Sequence, residues 1–320
     1  MLTAKLILKE DELRVIKSFP NSVWPTMLTP FTNDNKINYS ALEQMVEWYI
    51  GNGVSGLFAV CQSSEMFCLS LDERVNIARF VKEKAAGRVP VIASGHISDD
   101  FKSQVEELNA MASTGIDALI LITNRLASKD EDDDIFLKNL DRLVSELPPD
   151  IPLGFYECPY PYKRILSPRV MKECAETGRF FFYKDTCCDI GQIREKLKVI
   201  KGTSLRLYNA NTSTLLQSLK DGVVGYCGVM ANFHPELYVW LCSNPYSPKA
   251  QTVSDLLTMC SLIERQYYPV NAKYAMKLCG LDVGIKCRVK NEQYFTASFA
   301  EEVKAIMRIT HYIKDKIIRE

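Results

Sequence analysis

The chain has 320 residues, of which 47% are hydrophobic and 24% charged, a composition that suits a globular protein with a sizeable core. Lysine and arginine total 39, and aspartate and glutamate also total 39, so there is no basic excess of the kind that binds nucleic acid or anionic lipid. No stretch offers the roughly 20 apolar residues of a membrane span, and the N-terminus is too charged for a signal peptide; we therefore expect a cytoplasmic protein.

Eight short apolar runs recur along the chain and are predicted to be strands. They are apolar nearly throughout, which is typical of parallel strands covered on both faces. The runs are VWPTML from Val23, GLFAV from Gly56, PVIAS from Pro90, DALILI from Asp117, PLGFY from Pro152, FFFYK from Phe180, SLRLY from Ser204 and GVVGYC from Gly222.

Amphipathic stretches lie between these runs and carry helix start and stop signals. Two of them are predicted to begin at serine caps, Ser40 and Ser70, each followed by glutamate three residues later. A third has Pro168 in its first turn and Gly178 at its end. The acidic run 130–134 is predicted to open a further helix, where it favours the positive end of the helix dipole more than it indicates a metal site.

Strand–helix units repeated about eight times predict a (β/α)8 TIM barrel. An open doubly wound sheet is the alternative, but no Gly-x-Gly-x-x-Gly follows the first strand. The alternation stops after residue 235, and longer helix-like runs follow. We therefore predict a barrel over residues 1–235 and a C-terminal helical region over residues 236–320.

The eleven cysteines are scattered, mostly in apolar runs, and form no Cys-x-x-Cys pair or zinc-type spacing. Reduced core thiols without a metal are the expectation. The vicinal pair Cys187–Cys188 has no motif that would make it a redox site.

Catalytic side chains of this barrel class lie where the strands end. The fifth strand ends at Tyr156 and the sixth at Lys184, while the second is followed by the hydroxyl-rich turn Gln62, Ser63 and Ser64. A lysine, a tyrosine and hydroxyl groups suit Schiff-base chemistry: an amine kept neutral attacks a carbonyl, a phenol relays protons, and the turn holds a carboxylate. Each also has an ordinary structural reading, namely a solvated lysine, a packed tyrosine and helix-capping serines.

His96 also ends a strand. The sequence is compatible with two roles for it, a structural hydrogen bond or a position facing the cavity. Cys227 ends the eighth strand and is a candidate to contact substrate.

These residues stand in motifs that resemble the dihydrodipicolinate synthase / N-acetylneuraminate lyase family of class I aldolases. The chain from Thr26 to Val75 is similar to the family's N-terminal signature, with TPF at a strand end and CQSSE where the family has GTTGE or GSTGE. YECP corresponds to the family's YNxP motif and places the motif tyrosine at Tyr156, and YKDT places the Schiff-base lysine at Lys184. The resemblance runs over about residues 23–240. It implies a homo-oligomer, dimer or tetramer, that needs no metal or organic cofactor.

The sequence departs from the family's specificity motifs. Gln62 stands at the first threonine of GTTGE, which serves in the synthase proton relay, whereas Ser63 keeps the hydroxyl that holds the substrate carboxylate. Leu126 aligns with the relay tyrosine, and Pro161 aligns with the arginine that binds a dicarboxylate substrate. The acidic pair of the lyase, after the seventh strand, is replaced by residues 209–212.

The sequence therefore predicts a lysine Schiff-base lyase or aldolase that acts on pyruvate or another 2-oxo acid, with a specificity different from that of the synthase. Lys184 and Tyr156 are the predicted catalytic residues, and Gln62, Ser63, Ser64 and Cys227 are the predicted substrate contacts. The alternatives are a dehydratase of a deoxy-sugar acid, a non-catalytic 2-oxo-acid-binding relative, and an unrelated phosphate-binding barrel, which lacks a glycine-rich phosphate loop.

Overall fold

The computed structural model describes residues 18–319, and the predicted absence of a signal peptide concerns residues that lie largely outside this range. Residues 18–319 contain eight strands, each of which overlaps one of the eight predicted runs. They are β1 Ser22–Val23, β2 Leu57–Phe58, β3 Val91–Ala93, β4 Ala118–Ile122, β5 Leu153–Tyr156, β6 Phe180–Asp185, β7 Arg206–Asn209 and β8 Gly225–Tyr226.

The strands form one parallel sheet in the order β1-β8-β7-β6-β5-β4-β3-β2. The residues just after β1 close this sheet onto β2: Thr26 bridges Phe58, and the N–H of Met27 donates to the carbonyl of Phe58 at 3.0 Å. A parallel sheet closed in this way is a barrel, which confirms the predicted fold class.

Helices alternate with the strands around the outside of the barrel. They are α1 Tyr39–Gly51, α2 Leu71–Ala85, α3 Phe101–Ala112, α4 Asp133–Val144, α5 Pro168–Glu176, α6 Ile190–Ile200, α7 Leu215–Asp221 and α8 Pro235–Ser243. None of the helices among residues 18–319 is long and apolar enough to cross a membrane.

The predicted helix starts are confirmed for α2, α4 and α5. Ser70 and Glu73 form a reciprocal capping box on α2, and Asp132 caps α4 by accepting from the N–H of Ile135 at 3.0 Å. The predicted cap of α1 at Ser40 is wrong, because the side chain of Asn38 accepts from the N–H of Ala41 at 3.0 Å. Two capping residue types stand close together here, and the asparagine precedes the first turn.

Aromatic rings fill the barrel beneath the carboxyl ends of the strands. Phe182 stacks on Tyr208 with ring centroids 4.3 Å apart, and Trp24 meets both rings edge-on. All three side chains are fully buried. The interior below the site is therefore a packed apolar layer.

The chain after α8 is helical and folds back over the barrel. It contains α9 Ala250–Ser261, α10 Val270–Leu278 and α11 Ala297–Tyr312. α11 packs on α10, and its Thr310 bonds at 2.9 Å to His234, the residue before α8. Lys314, just after α11, pairs with Glu236 of α8 at 3.1 Å. The segment between α10 and α11 returns to the mouth of the barrel through Arg288, described below. The division of the chain at residue 235 stays a prediction.

Candidate active site

Lys184 lies near the carboxyl end of β6 and is only 3% exposed. Its register partners in the sheet are Tyr156 on β5 and Tyr208 on β7. The amine nitrogen, Nζ, lies 4.0 Å from the ring centroid of Tyr156 and 5.8 Å from that of Phe58. No residue between 18 and 319 accepts a hydrogen bond from Nζ or forms an ion pair with it. The amine thus has no protein partner among the described residues, and Lys184 itself is not among the residues that line the cavity next to Tyr156.

Tyr156 is nearly fully buried beside Lys184, and burial raises the pKa of its phenol well above the usual value. The phenol therefore stays protonated and can act as a hydrogen-bond donor or a proton source. The thiol of Cys158 lies next to it and donates to the side-chain carbonyl of Gln62 at 3.4 Å. Cys158 thus links Gln62 to the end of β5 behind the cavity wall that Tyr156 and Gln62 form.

The turn after β2 presents one of its two serines to the site. Ser63 lines the cavity, and its hydroxyl donates to the hydroxyl of Thr26 at 3.1 Å. The Ser64 hydroxyl lies 2.7 Å from the carbonyl of Met27 and accepts from the N–H of Cys61, so it holds the turn itself. The N–H groups of Gln62 and Ser63 donate to no residue between 18 and 319.

A cavity of about 710 Å³ opens over this turn. Gln62, Ser63 and Tyr156 line its barrel side, and Tyr268, Arg288 and Lys290 line it from the C-terminal region. Arg288 is engaged by Glu73 at 2.7 Å, whereas Lys290 stands over the ring of Tyr267 with no carboxylate partner among the described residues. The C-terminal region thus supplies one wall of the cavity.

Glu65 fixes that wall to the barrel. Its backbone is left-handed, with φ of 61°, and its carboxylate is fully buried. The carboxylate accepts from Nζ of Lys273 at 2.8 Å and from the N–H groups of Arg288 and Val289 at 2.6 and 2.9 Å. One side chain therefore joins the turn after β2 to α10 and to the segment that follows it.

A second buried charge cluster lies behind the site, at the ends of β5 and β6. Nζ of Lys196 donates to Glu157 at 2.9 Å and to Asp185 at 2.5 Å. Glu157 also accepts from the hydroxyl of Tyr183 and from the N–H of Thr186. Burial raises the pKa of Glu157, and the charge of Lys196 acts against that rise. The cluster links the ends of β5 and β6, the two strands that carry Tyr156 and Lys184.

The charge of Lys184 acts on the pKa of two further groups, Cys227 and Glu264. Cys227 is fully buried, and burial raises the pKa of its thiol to about 12 although Lys184 acts in the opposite sense. Glu264 lies in the turn between α9 and α10 and lines a small cleft with residues 211–213, which follow β7. Burial raises the pKa of Glu264 to about 7, again against the charges of Lys184 and Arg265.

The cations nearest to Pro161 in the sequence are held away from the cavity. Nζ of Lys163 donates to the carbonyl of Thr186 at 2.7 Å. The guanidinium of Arg164 donates to three carbonyl groups before α4, those of Ser128, Glu131 and Asp132. Neither side chain lines the cavity over Gln62 and Tyr156.

His96 is a buried structural residue. Its Nε2 accepts from the N–H of Ile122 at 2.8 Å, and burial lowers the pKa of the ring to about 4. Cys187 and Cys188 are unpaired, and burial raises the pKa of both thiols, that of Cys187 to about 12. A thiol with a raised pKa is a poor nucleophile, which agrees with the absence of a redox motif.

Comparison with known proteins places this geometry in a family. The model of the dihydrodipicolinate synthetase family matches residues 20–308. The chain belongs to that family. Curated relatives include the 4-hydroxy-tetrahydrodipicolinate synthases of Clostridium tetani, 26% identical over 81% of this chain and 87% of the relative, and of Acetivibrio thermocellus, 27% identical over 82% and 88%.

Solved structures share the fold at lower identity. A prophage protein of the dihydrodipicolinic acid synthase family from Escherichia coli K12, solved with pyruvate, superimposes with a TM-score of 0.81 at 20% identity. It covers 91% of this chain and 98% of its own. The dihydrodipicolinate synthase of Acinetobacter baumannii, also solved with pyruvate, gives a TM-score of 0.80 at 20% identity, over 92% and 99% of the two chains.

Sequence reasoning missed every cavity residue that comes from the C-terminal region. Tyr268, Arg288 and Lys290 at the cavity, like Glu264 at the small cleft, stand in a part of the chain where the pattern predicts only helices and loops. The run QYYPVNAK, from Gln266 to Lys273, was the available signal, because two tyrosines and a proline interrupt an otherwise helical stretch.

Proposed function

We propose that this chain is a class I lyase or aldolase that forms a Schiff base between Lys184 and pyruvate or another 2-oxo acid. One observation carries the proposal: the buried Lys184 amine has no partner among residues 18–319 and lies against the ring of Tyr156. Family membership and the two synthases at 26% and 27% identity support the same chemistry. The pyruvate bound by two proteins of the same fold supports the ligand class.

In the proposed mechanism, the neutral amine of Lys184 attacks the 2-oxo carbon and forms a carbinolamine. Loss of water gives an imine, which as an iminium withdraws electrons from the neighbouring carbon. Removal of a proton from that carbon gives an enamine, which attacks an aldehyde and forms a carbon–carbon bond; the reverse sequence cleaves one. Hydrolysis of the product imine regenerates the amine. Tyr156, whose ring centroid lies 4.0 Å from the amine, would donate and accept the protons.

The remaining predicted residues have supporting roles in this proposal. The Ser63 hydroxyl and the free N–H groups of Gln62 and Ser63 would bind the substrate carboxylate. The Gln62 side chain and Cys227 would form the walls around the reacting carbon, while Ser64 would hold the turn in shape. A homo-oligomer and a cytoplasmic location belong to the same proposal.

Borohydride trapping tests the covalent step. Reduction in the presence of pyruvate should add the mass of a reduced pyruvyl group to the peptide that carries Lys184. Lys184→Met should abolish the adduct, while Lys172→Met, at an exposed lysine of α5, should leave it unchanged. Intact-mass spectra without any adduct, over pyruvate and a panel of 2-oxo acids, would contradict the proposal and favour the binding relative.

A second assay addresses specificity. Because Pro161 replaces the expected arginine and Arg164 is held by backbone carbonyls, we propose that aspartate semialdehyde is a poor partner for pyruvate. Retro-aldol cleavage or dehydration of another 2-oxo acid is the expected activity, and dehydration would select the sugar-acid dehydratase. Efficient condensation of pyruvate with aspartate semialdehyde, in a coupled assay, would instead identify the synthase reaction.

A further inference from the structure

Tyr268 brings a second phenol to the cavity from outside the barrel. It stands between the turn that follows α9 and the start of α10, and it lines the cavity together with Gln62, Ser63 and Tyr156. Its hydroxyl lies beside the hydroxyl of Ser63. It therefore reaches the side of the cavity where the proposed function places the substrate carboxylate.

The barrel holds the Tyr268 hydroxyl in place. The side-chain nitrogen of Asn232 donates to it at 3.0 Å. The same nitrogen donates to the carbonyl of Thr26 at 3.0 Å, and the oxygen of Asn232 accepts from the hydroxyl of Tyr49. Asn232 is fully buried, so this chain of bonds fixes the phenol oxygen relative to the turn at Ser63.

The phenol of Tyr268 is a protonated group in contact with the hydroxyl of Ser63. Burial raises the pKa of Tyr268, so its hydroxyl stays protonated. It accepts from Asn232 at 3.0 Å and shares a hydrogen bond with the hydroxyl of Ser63. Ser63 in turn donates to Thr26, while the N–H groups of Gln62 and Ser63 donate to no residue between 18 and 319. Two unused N–H groups beside two hydroxyl groups that can turn toward a ligand fit an anion.

We infer that Tyr268 is a substrate-binding residue whose O–H donates to the carboxylate of the 2-oxo acid, beside Ser63. This inference rests on the proposed function for the identity of the ligand. It assigns the C-terminal region a direct part in substrate recognition. Asn232 does not depend on the phenol, because it retains the carbonyl of Thr26 as an acceptor.

Pyruvate binding, measured by calorimetry on the full chain, tests the inference. Loss of a hydrogen bond to a charged group should raise the Kd of Tyr268→Phe roughly tenfold or more. Tyr267→Phe is the matched control: its hydroxyl donates to the carbonyl of Asn291 at 2.7 Å, outside the proposed carboxylate site, and its Kd should stay within about twofold. An unchanged Kd for Tyr268→Phe would overturn the inference.

Two further measurements keep this result separate from the Schiff-base proposal. If the wild type binds pyruvate but gives no borohydride adduct, covalent chemistry fails while the Kd comparison still decides the role of Tyr268. If the wild type does not bind pyruvate at all, both proposals fall. If Tyr268→Phe does not fold, Tyr268→Gln, which keeps a donor, must bind pyruvate more tightly than Tyr268→Met; equal affinity of these two would also overturn the inference.

Discussion

Lys184 follows the apolar run of β6. Like Phe182, two residues earlier on the strand, it belongs to the inward face of the barrel, and it lies above the aromatic layer of Phe182 and Tyr208. A lysine in that place is costly unless its charge is compensated or its amine is neutral. The described part of the chain gives it the face of the Tyr156 ring and no carboxylate. The side chain of Lys184 is therefore buried against Tyr156 and does not extend to solvent.

Tyr156 is the proposed proton-transfer group, and its ring centroid lies 4.0 Å from that amine. Tyr156→Phe removes only the hydroxyl, so the ring should still pack against Phe58, whose centroid is 5.8 Å away. We expect turnover to fall by about 10² or more, a usual effect of losing general acid–base help, with little change in thermal stability. Steady-state kinetics on an identified substrate and a melting curve measure the two effects. Near-normal turnover would show that the protons travel by another route.

At the scale of elements, the strands and several helix starts could be predicted from local pattern. β4 and β6 are buried on both faces and therefore show as unbroken apolar runs. The capping box of α2 is likewise a local interaction between Ser70 and Glu73. Lys184 and Tyr156 followed from the same logic, since strand ends converge in a barrel.

The C-terminal wall of the site could not be predicted in this way. It depends on the contact between Glu65 and Lys273, which are 208 residues apart in the sequence. No periodicity in either segment indicates the other. The same holds for Tyr268, whose place at the cavity depends on Asn232 and on the turn before α10.

Breaking the pair of Glu65 and Lys273 should therefore destabilise the molecule strongly. Both side chains are at most 1% exposed, so Glu65→Gln leaves a buried ammonium without its counter-charge. We expect the free energy of unfolding to fall by about 3–5 kcal/mol, measured by urea denaturation.

An exposed pair provides the control for that measurement. The carboxylate of Glu292 lies 3.7 Å from Nζ of Lys286, and both side chains are roughly 30% exposed. Glu292→Gln should cost less than about 1 kcal/mol. Replacing Glu65 and Lys273 together by methionine should cost less than Glu65→Gln alone, because no unpaired charge remains. Equal losses for Glu65→Gln and Glu292→Gln would contradict the assignment of Glu65 as the link between barrel and C-terminal region.

At the scale of the whole molecule, two buried titratable groups, His96 and Glu264, change the free energy of unfolding with pH in opposite directions. The pKa of His96 is lowered to about 4, so the folded chain binds fewer protons than the unfolded chain between about pH 4 and 6.5, and stability is lost as the pH falls through that range. Glu264, whose pKa is raised from 4.5 to about 7, acts in the opposite direction.

Glu264→Gln isolates the contribution of Glu264 to the pH dependence of stability. The folded wild type binds more protons than the unfolded chain between pH 4.5 and about 7, so the contribution of Glu264 to stability falls as the pH rises through that window. The variant has no such dependence. Relative to the wild type it should therefore gain about 1–3 kcal/mol between pH 4.5 and 7.5, in urea unfolding at a series of pH values. Glu195→Gln, on the exposed pair with Lys198, should show no pH-dependent difference from the wild type. The contrary result would be a difference in the free energy of unfolding between Glu264→Gln and the wild type that stays constant across this range. It would mean that the carboxyl of Glu264 ionises as it does in water. The surroundings of Glu264 near Lys184 would then not have the low dielectric constant that the burial of Glu264 indicates.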